Sequence, residues 1–400
     1  MTTAIRDAYI VAARRSPVGK APRGSLRRKR PDDLLADTLR ATLADAPGLD
    51  PAAIDDVIIG CAMPEGEQGM NVARIALLLA GLPDSVPGVT VNRFCASGLQ
   101  SVAQAAERVR LGAADLVLAG GTESMSMIPF MGQRPAFNPK VFAVDENVAI
   151  AYGMGITAER VAERWSVSRE DQDAFALQSH ERAVAAQDAG HFDAEIAPVE
   201  VVHRDPDPGS GALAQTRTSV RADDGPRRDT DAERLAGLRP VFAAKGSVTA
   251  GNSSQTSDGA GALLVASEEA VKRFELEPLA RFCSYAVAGV PPEIMGIGPI
   301  EAIPRALAAA GVRQDELDWI ELNEAFAAQS LAVIRSLELD PARVNPLGGA
   351  IALGHPLGAT GSIRAATALH GLQRSGGRYG MVTMCVGTGM GAAGVFEALR

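Results

Sequence analysis

Residues 9–120 and residues 279–399 carry the same succession of strand and helix signals, and this repetition constrains the fold more than any single residue does. In the first stretch, apolar strand signals at 9–13, 56–60, 89–93 and 115–119 alternate with helical periodicity at 33–46, 71–80 and 97–111. In the second, 279–288, 319–322, 380–384 and 392–399 read as strands, and 300–310, 325–337 and 362–374 as helices. Strands separated by helices predict parallel pairing through right-handed crossovers. The pattern therefore predicts an α/β fold with duplicated βαβ halves. With 400 residues the chain exceeds the ~250–300 that one hydrophobic core supports, so two or three packed units are expected.

Between the halves, residues 122–248 break the regularity. They hold Pro129, Pro135 and Pro139, two polar helices at 158–165 and 169–189, and a stretch at 203–228 rich in Asp, Pro, Gly and Arg. An insertion of that length points to a lid or ligand-binding subdomain. The expected division is an N-terminal half, 1–270, that includes this loop domain, and a C-terminal half, 271–400.

Charge narrows the partners. Thirty-nine basic against forty-eight acidic side chains give −9, and no stretch concentrates enough positive charge to offset that against a polyanion, which argues against nucleic acid. The run RRKR at 27–30 is followed by Asp32 and Asp33 and reads as a solvated loop. The first twenty residues hold no apolar run of the length of a signal peptide's core and no later segment reaches the length of a membrane span, so a cytoplasmic protein with no membrane partner is expected. Cys61, Cys95, Cys283 and Cys385 are far apart, without CxxC or His-spaced pairs. That pattern argues against a metal site and against disulfides; a cysteine that matters does so as a thiol.

Four positions combine reactive chemistry with a special local setting. Cys95, in VNRFCASGLQ, follows a β-branched strand and opens a helix, where unpaired N–H groups and the helix dipole favour a thiolate, although a buried Cys is also a small hydrophobe. Cys385 stands between a strand and a turn with glycines at 387, 389 and 391, where it is either a packing residue or a thiol held close to a ligand. His355 is displayed by GGAIALGHPLGATG, five glycines in fourteen residues with Pro356 next to the imidazole. Asn323, in NEAF, lies at the carboxyl end of a strand, where parallel sheets collect ligands; it could position a water or a carbonyl, or cap a helix. Cys61 and Cys283 read as packing residues.

At these residues the sequence resembles the thiolase family. NRFCASGLQ, GGTESMS, GMGITAE, VTAGNSSQTSDGA, NEAF, NPLGGAIALGHPLGATG and CVGTGMG occur in the family's order. The resemblance implies a five-layered αβαβα core of two similar halves, with a loop domain covering the coenzyme A site. It implies Cys95 as acyl-carrying nucleophile, His355 as its base and an enolate stabiliser, Asn323 as holder of a water in that oxyanion hole, and Cys385 as acid/base thiol. It further implies that the N–H groups of Cys95 and Gly387 form a second oxyanion hole. Met154, Arg227, Phe242, Ala250, Ser254 and Phe326 fall where relatives line the path of coenzyme A, which enters as co-substrate; no tightly bound cofactor is expected. One departure touches that path: Arg234 stands eight positions before Phe242, where relatives often carry a hydroxyl.

Within the family, GMG at 153–155, PPEIMGIGP at 291–299 and CVGTGMG favour a degradative 3-ketoacyl-CoA thiolase of fatty-acid β-oxidation over a biosynthetic acetoacetyl-CoA thiolase. The full set Cys95, Asn323, His355 and Cys385 counts against a non-catalytic lipid-binding relative. A decarboxylating condensing enzyme would carry a second His in place of Asn323. The implied partners are acyl-CoA substrates, further copies of the chain as homotetramer or homodimer, and a β-oxidation multienzyme partner.

Overall fold

The computed structural model describes residues 5–207 and 209–399. Ten described strands form one sheet in two halves, the short Gly19–Lys20 pairing at the side with Ser257–Ala266. The first half runs in the order Gly88–Val91, Asp56–Gly60, Leu116–Ser124, Ser257–Ala266, Tyr9–Arg15, and the second Ala280–Gly289, Met390–Ala398, Tyr379–Val386, Leu317–Leu322. The halves touch through a two-residue antiparallel pairing, Tyr9 with Arg281 and Ile10 with Ala280. Between them lie the helices Ser97–Arg110 and Leu357–Ser375. Pro31–Ala44 and Val72–Ala80 cover one outer face, and Gly298–Ala310 with Ala327–Ser336 the other. The chain thus stacks as helix, sheet, helix, sheet, helix.

The strands alternate between two cores. Ile58, Val117, Ala119, Leu263 and Val265 face the central helices, while Val57, Ile59, Leu116, Leu118 and Leu264 face the outer layer. A sheet covered on both sides needs apolar residues at both parities, which is why these strands read as continuous apolar runs. A third core fills the outer face of the second half around Ile303, Ile320, Val333 and Val395.

Pairing is mixed rather than parallel throughout. Asp56–Gly60 is parallel to both Gly88–Val91 and Leu116–Ser124, and Leu317–Leu322 to Tyr379–Val386, whereas the other pairings are antiparallel. Two features cause this. Ser257–Ala266, absent from the sequence-based assignment, returns from the insertion and runs antiparallel between Leu116–Ser124 and Tyr9–Arg15. The last two strands are joined by a tight turn, a connection open only to antiparallel neighbours. The stretch expected to be irregular also contains a hairpin, Val199–Pro206 with Leu213–Val220.

The helix Leu357–Ser375 begins five residues before its expected start and runs through Gly358 and Gly361. These glycines serve close packing rather than a turn. A Cβ on Gly361 would lie 2.2 Å from the Leu99 backbone nitrogen, so the two central helices meet at their first turns, backbone to backbone.

The insertion is anchored by a buried ion cluster. Arg15, 2% exposed, binds Glu195 at 2.5 Å and Asp223 at 2.8 Å, and Thr367 donates to Glu195 at 2.9 Å. Part of the basic run is paired rather than merely solvated: Arg28 with Asp205, Lys29 with Asp37, and Arg30 with Asp32. No described helix is long and apolar enough to cross a membrane.

Candidate active site

The strand Gly88–Val91 leads into a short 3-10 turn, Phe94–Ala96, and the helix Ser97–Arg110 follows at once. Phe94 adopts φ +44°, a left-handed conformation uncommon outside glycine. Side chains hold the turn. Asn92 Oδ1 accepts from the Phe94 N–H at 2.8 Å, and Ser97 Oγ accepts from the Arg93 N–H at 2.8 Å while donating to the Phe94 carbonyl at 2.7 Å. Cys95 is thereby fixed, half-buried, at the first turn of the helix. The expectation of an acidified sulfur fails. Burial pushes the Cys95 thiol up to about 11, and the N–H groups of Gly387 and of Cys95 itself pull against that rise. Desolvation wins, so the resting sulfur is a thiol that needs a base.

His355 supplies an imidazole able to act as one. Its backbone N–H donates to the Gln255 carbonyl at 3.2 Å and the Ser257 hydroxyl at 3.1 Å, and Gly354 before it takes φ +94°. The ring's Nδ1 lies 2.6 Å from Thr360 Oγ1, and Nε2 lies 3.4 Å from Asn323 Nδ2. With Nδ1–H donated to Thr360, Nε2 keeps its lone pair. Burial, with Arg364 adding, lowers the ring to about 3, so it is neutral at rest and free to accept a proton.

Cys385 is the penultimate residue of the strand Tyr379–Val386 and is buried. Burial, with repulsion from the Cys95 sulfur once that is ionised second, drives its thiol far above the ordinary range. Asn323 follows the strand Leu317–Leu322, and its N–H donates to the Thr383 carbonyl at 2.9 Å. It is not a helix cap, because the next helix starts at Ala327 with Phe326 in the capping position. Among the described residues its buried Oδ1 has no hydrogen-bond partner.

Cys95, His355 and Cys385 line one cavity of about 330 Å³, together with Met154, Phe242, Ser254 and Phe326. Arg227 and Ala250, the other two residues expected along the coenzyme A path, line an adjoining polar recess of about 190 Å³ with Lys20, His180 and Arg234. Ser253 and Gln255 belong to both, so the two spaces are neighbours. In the recess Arg227 pairs with Asp229, and Arg234 with Asp229 and Asp231. Cys95 also lines an apolar cavity of about 220 Å³, walled by Phe94, Phe130, Met131, Ala136, Phe137 and Ile150. A larger surface cleft of about 580 Å³, beside Arg160 and Lys245, contains neither sulfur nor imidazole.

Three supporting residues escaped sequence reasoning. Thr360 orients the imidazole. Glu123, 1% exposed, accepts from the N–H groups of Ala62 at 2.8 Å, Met63 at 3.2 Å and Gly358 at 2.9 Å, tying the loop after Asp56–Gly60 to the start of the helix behind His355. Glu324 accepts from Ser179 at 2.6 Å, Asn345 Nδ2 at 2.9 Å and the Ile351 N–H at 3.2 Å. Both carboxylates stand inside the motifs GGTESMS and NEAF, and an acid in an otherwise buried strand end was the available signal. Among the described residues no group of three or more His, Cys, Asp or Glu is arranged to hold a metal ion.

Comparison with known proteins gives the family. Residues 8–269 match the model of the thiolase N-terminal domain, and residues 276–398 that of the thiolase C-terminal domain. The chain is 51% identical to a 3-ketoacyl-CoA thiolase of Bacillus subtilis, covering 98% of this chain and 100% of that one. It is 47% identical to a β-ketoadipyl-CoA thiolase of Pseudomonas aeruginosa, over 98% and 99%. Among solved structures, human mitochondrial 3-ketoacyl-CoA thiolase superposes with a TM-score of 0.88 at 39% identity, covering 99% and 100% of the two chains. With its two sulfurs and one imidazole gathered between paired αβ halves, and both family domains matched along its length, this chain belongs to the thiolase family of acyltransferases.

Proposed function

We propose that this protein cleaves 3-ketoacyl-CoA thioesters with uncharged acyl chains, using coenzyme A as acceptor and a Cys95 acyl-enzyme, in fatty-acid β-oxidation. The observation that carries the reading is that Cys95 lines two cavities at once. One contains His355 and Cys385 and adjoins the polar recess of Arg227; the other is apolar and suits the acyl tail.

In this scheme His355 Nε2 takes the Cys95 proton, and the sulfur attacks the C3 ketone. The C2–C3 bond breaks, and the acetyl-CoA enolate departs with its oxygen towards His355 and the water held by Asn323. Cys385 gives its proton to C2. Coenzyme A thiol then loses its proton to the Cys385 thiolate and attacks the Cys95 thioester. The oxyanion faces the N–H groups of Cys95 and Gly387, and Cys95 recovers its proton from His355 as the shortened acyl-CoA leaves. Covalent catalysis divides one difficult displacement into two easier ones, and each oxyanion donor is worth roughly 2.7–4 kcal/mol.

A dicarboxylic 3-ketoacyl-CoA is the competing substrate class, since relatives at 45–47% identity are named β-ketoadipyl-CoA thiolases. Apart from Cys95, none of the described side chains walling the apolar cavity is ionisable, so a terminal carboxylate placed there would be buried without a cation. Thiolysis across a 3-ketoacyl-CoA series tests this, with 3-ketoadipyl-CoA included. Each buried methylene, worth about 0.8 kcal/mol, should raise kcat/KM about fourfold until the cavity is full. The carboxylated substrate should be the poorest of its length, and a preference for it would refute the assignment. Cys95→Ser should abolish both turnover and the acyl adduct on its peptide.

A further inference from the structure

We propose that Gln329 is a positioning residue for the acid/base step: its side-chain nitrogen donates to Cys385 Sγ and holds the thiolate that this sulfur becomes on giving up its proton. The inference rests on the reading of Cys385 as the group that protonates the departing enolate.

Gln329 is fully buried in the first turn of the helix Ala327–Ser336. Two backbone groups of fixed polarity bracket its amide. The Ser330 N–H lies 2.7 Å from one end, with the Ser330 hydroxyl at 2.9 Å, and the Asn323 carbonyl lies 3.2 Å from the other. An N–H can only donate and a carbonyl can only accept, so the Gln329 oxygen faces Ser330 and the nitrogen faces Asn323. The end towards Asn323 is also the end 3.3 Å from Cys385 Sγ. One amide hydrogen meets the Asn323 carbonyl, and the second is left for the sulfur.

This donor has few substitutes. Ala158, Val248, Met295, Ala325 and Phe326 pack around Cys385, and the titratable groups sharing its cavity are Cys95 and His355. Cys95 offers the sulfur no positive charge, and His355 carries one only while it holds the Cys95 proton. When Cys385 passes its proton to C2, the electron pair of the S–H bond stays on sulfur. The Gln329 N–H then opposes a full negative charge, where hydrogen bonds to charged groups are strongest.

The test is the pH dependence of iodoacetamide labelling of the Cys385 peptide in Cys95→Ala protein, followed by mass spectrometry. Gln329→Met should move the labelling midpoint upward by about one unit or more, and in protein retaining Cys95 should slow C2 proton exchange of acetyl-CoA about tenfold or more. Gln329→Glu, which keeps the shape and sets an oxygen against the sulfur, should move the midpoint the same way and keeps the question answerable if the Met variant fails to fold. A midpoint unchanged in either folded variant overturns the proposal. So does a downward shift in Gln329→Met, which would mean that the amide oxygen, not the nitrogen, faces the thiol. Labelling requires no turnover, so its outcome is separable from the thiolase reading itself.

Discussion

Replacing Thr360 by Val isolates what the imidazole needs from its surroundings. The two side chains have nearly the same shape, and Thr360 is 1% exposed, so the change removes one hydrogen-bonding oxygen and little else. That oxygen lies 2.6 Å from His355 Nδ1. With a methyl in its place, a proton on Nδ1 is buried without an acceptor, at a cost of about 1–3 kcal/mol. The ring then favours the tautomer protonated at Nε2, which cannot take the Cys95 proton. If the whole penalty falls on the step in which Cys95 is deprotonated, kcat declines about 5- to 160-fold. KM should change little, because Thr360 lines neither the catalytic cavity nor the recess of Arg227. Quenched-flow measurement of Cys95 acylation, with iodoacetamide labelling of the Cys95 peptide beside that of Cys283, separates the two effects: Cys95 should slow and Cys283 should not. Thr360→Ser should restore the rate. A Thr360→Val enzyme with undiminished acylation would show that Nδ1 does not set the tautomer.

Two further predictions concern stability. His355 stands at about 3 when folded against about 6.5 when free, so between these values the unfolded state binds more protons. The stability of the neutral ring is therefore present above pH ~6.5 and is lost as pH falls towards 3, by at most about 1.4 kcal/mol per pH unit. Glu321, raised to about 7 by burial, acts with the opposite sign between about 4.5 and 7. Urea melts from pH 7 to 4 on wild type and His355→Asn should show a shallower decline in the variant; equal slopes would disprove the assignment. Glu123→Ala leaves the N–H groups of Ala62, Met63 and Gly358 without their shared acceptor and should lower unfolding free energy by about 3 kcal/mol or more, as urea denaturation would show.

The reactive groups were legible in the sequence because each sits at a local feature: Cys95 at a strand-to-helix junction, His355 beside a proline among glycines, Cys385 before a glycine turn. The duplicated α/β pattern was legible for the same reason, since periodicity is a property of neighbouring residues. The antiparallel strand Ser257–Ala266 was not, because small residues open it and its partners lie some 140 and 250 positions away in the chain, from Leu116–Ser124 and Tyr9–Arg15. Gly358 and Gly361 read as a turn and proved to be helix, because glycine at a close approach of two backbones looks the same in sequence as glycine at a bend.

The sequence by itself determined which chemical groups this protein owns and the order in which they occur. Only the tertiary structure decided their state. A protonated Cys95, a neutral His355, the N–H groups of Cys95 and Gly387 at one sulfur, and an apolar cavity on one side of it all depend on which distant residues exclude water. Desolvation and hydrogen-bond geometry are set by packing across the two halves, and no local pattern encodes them.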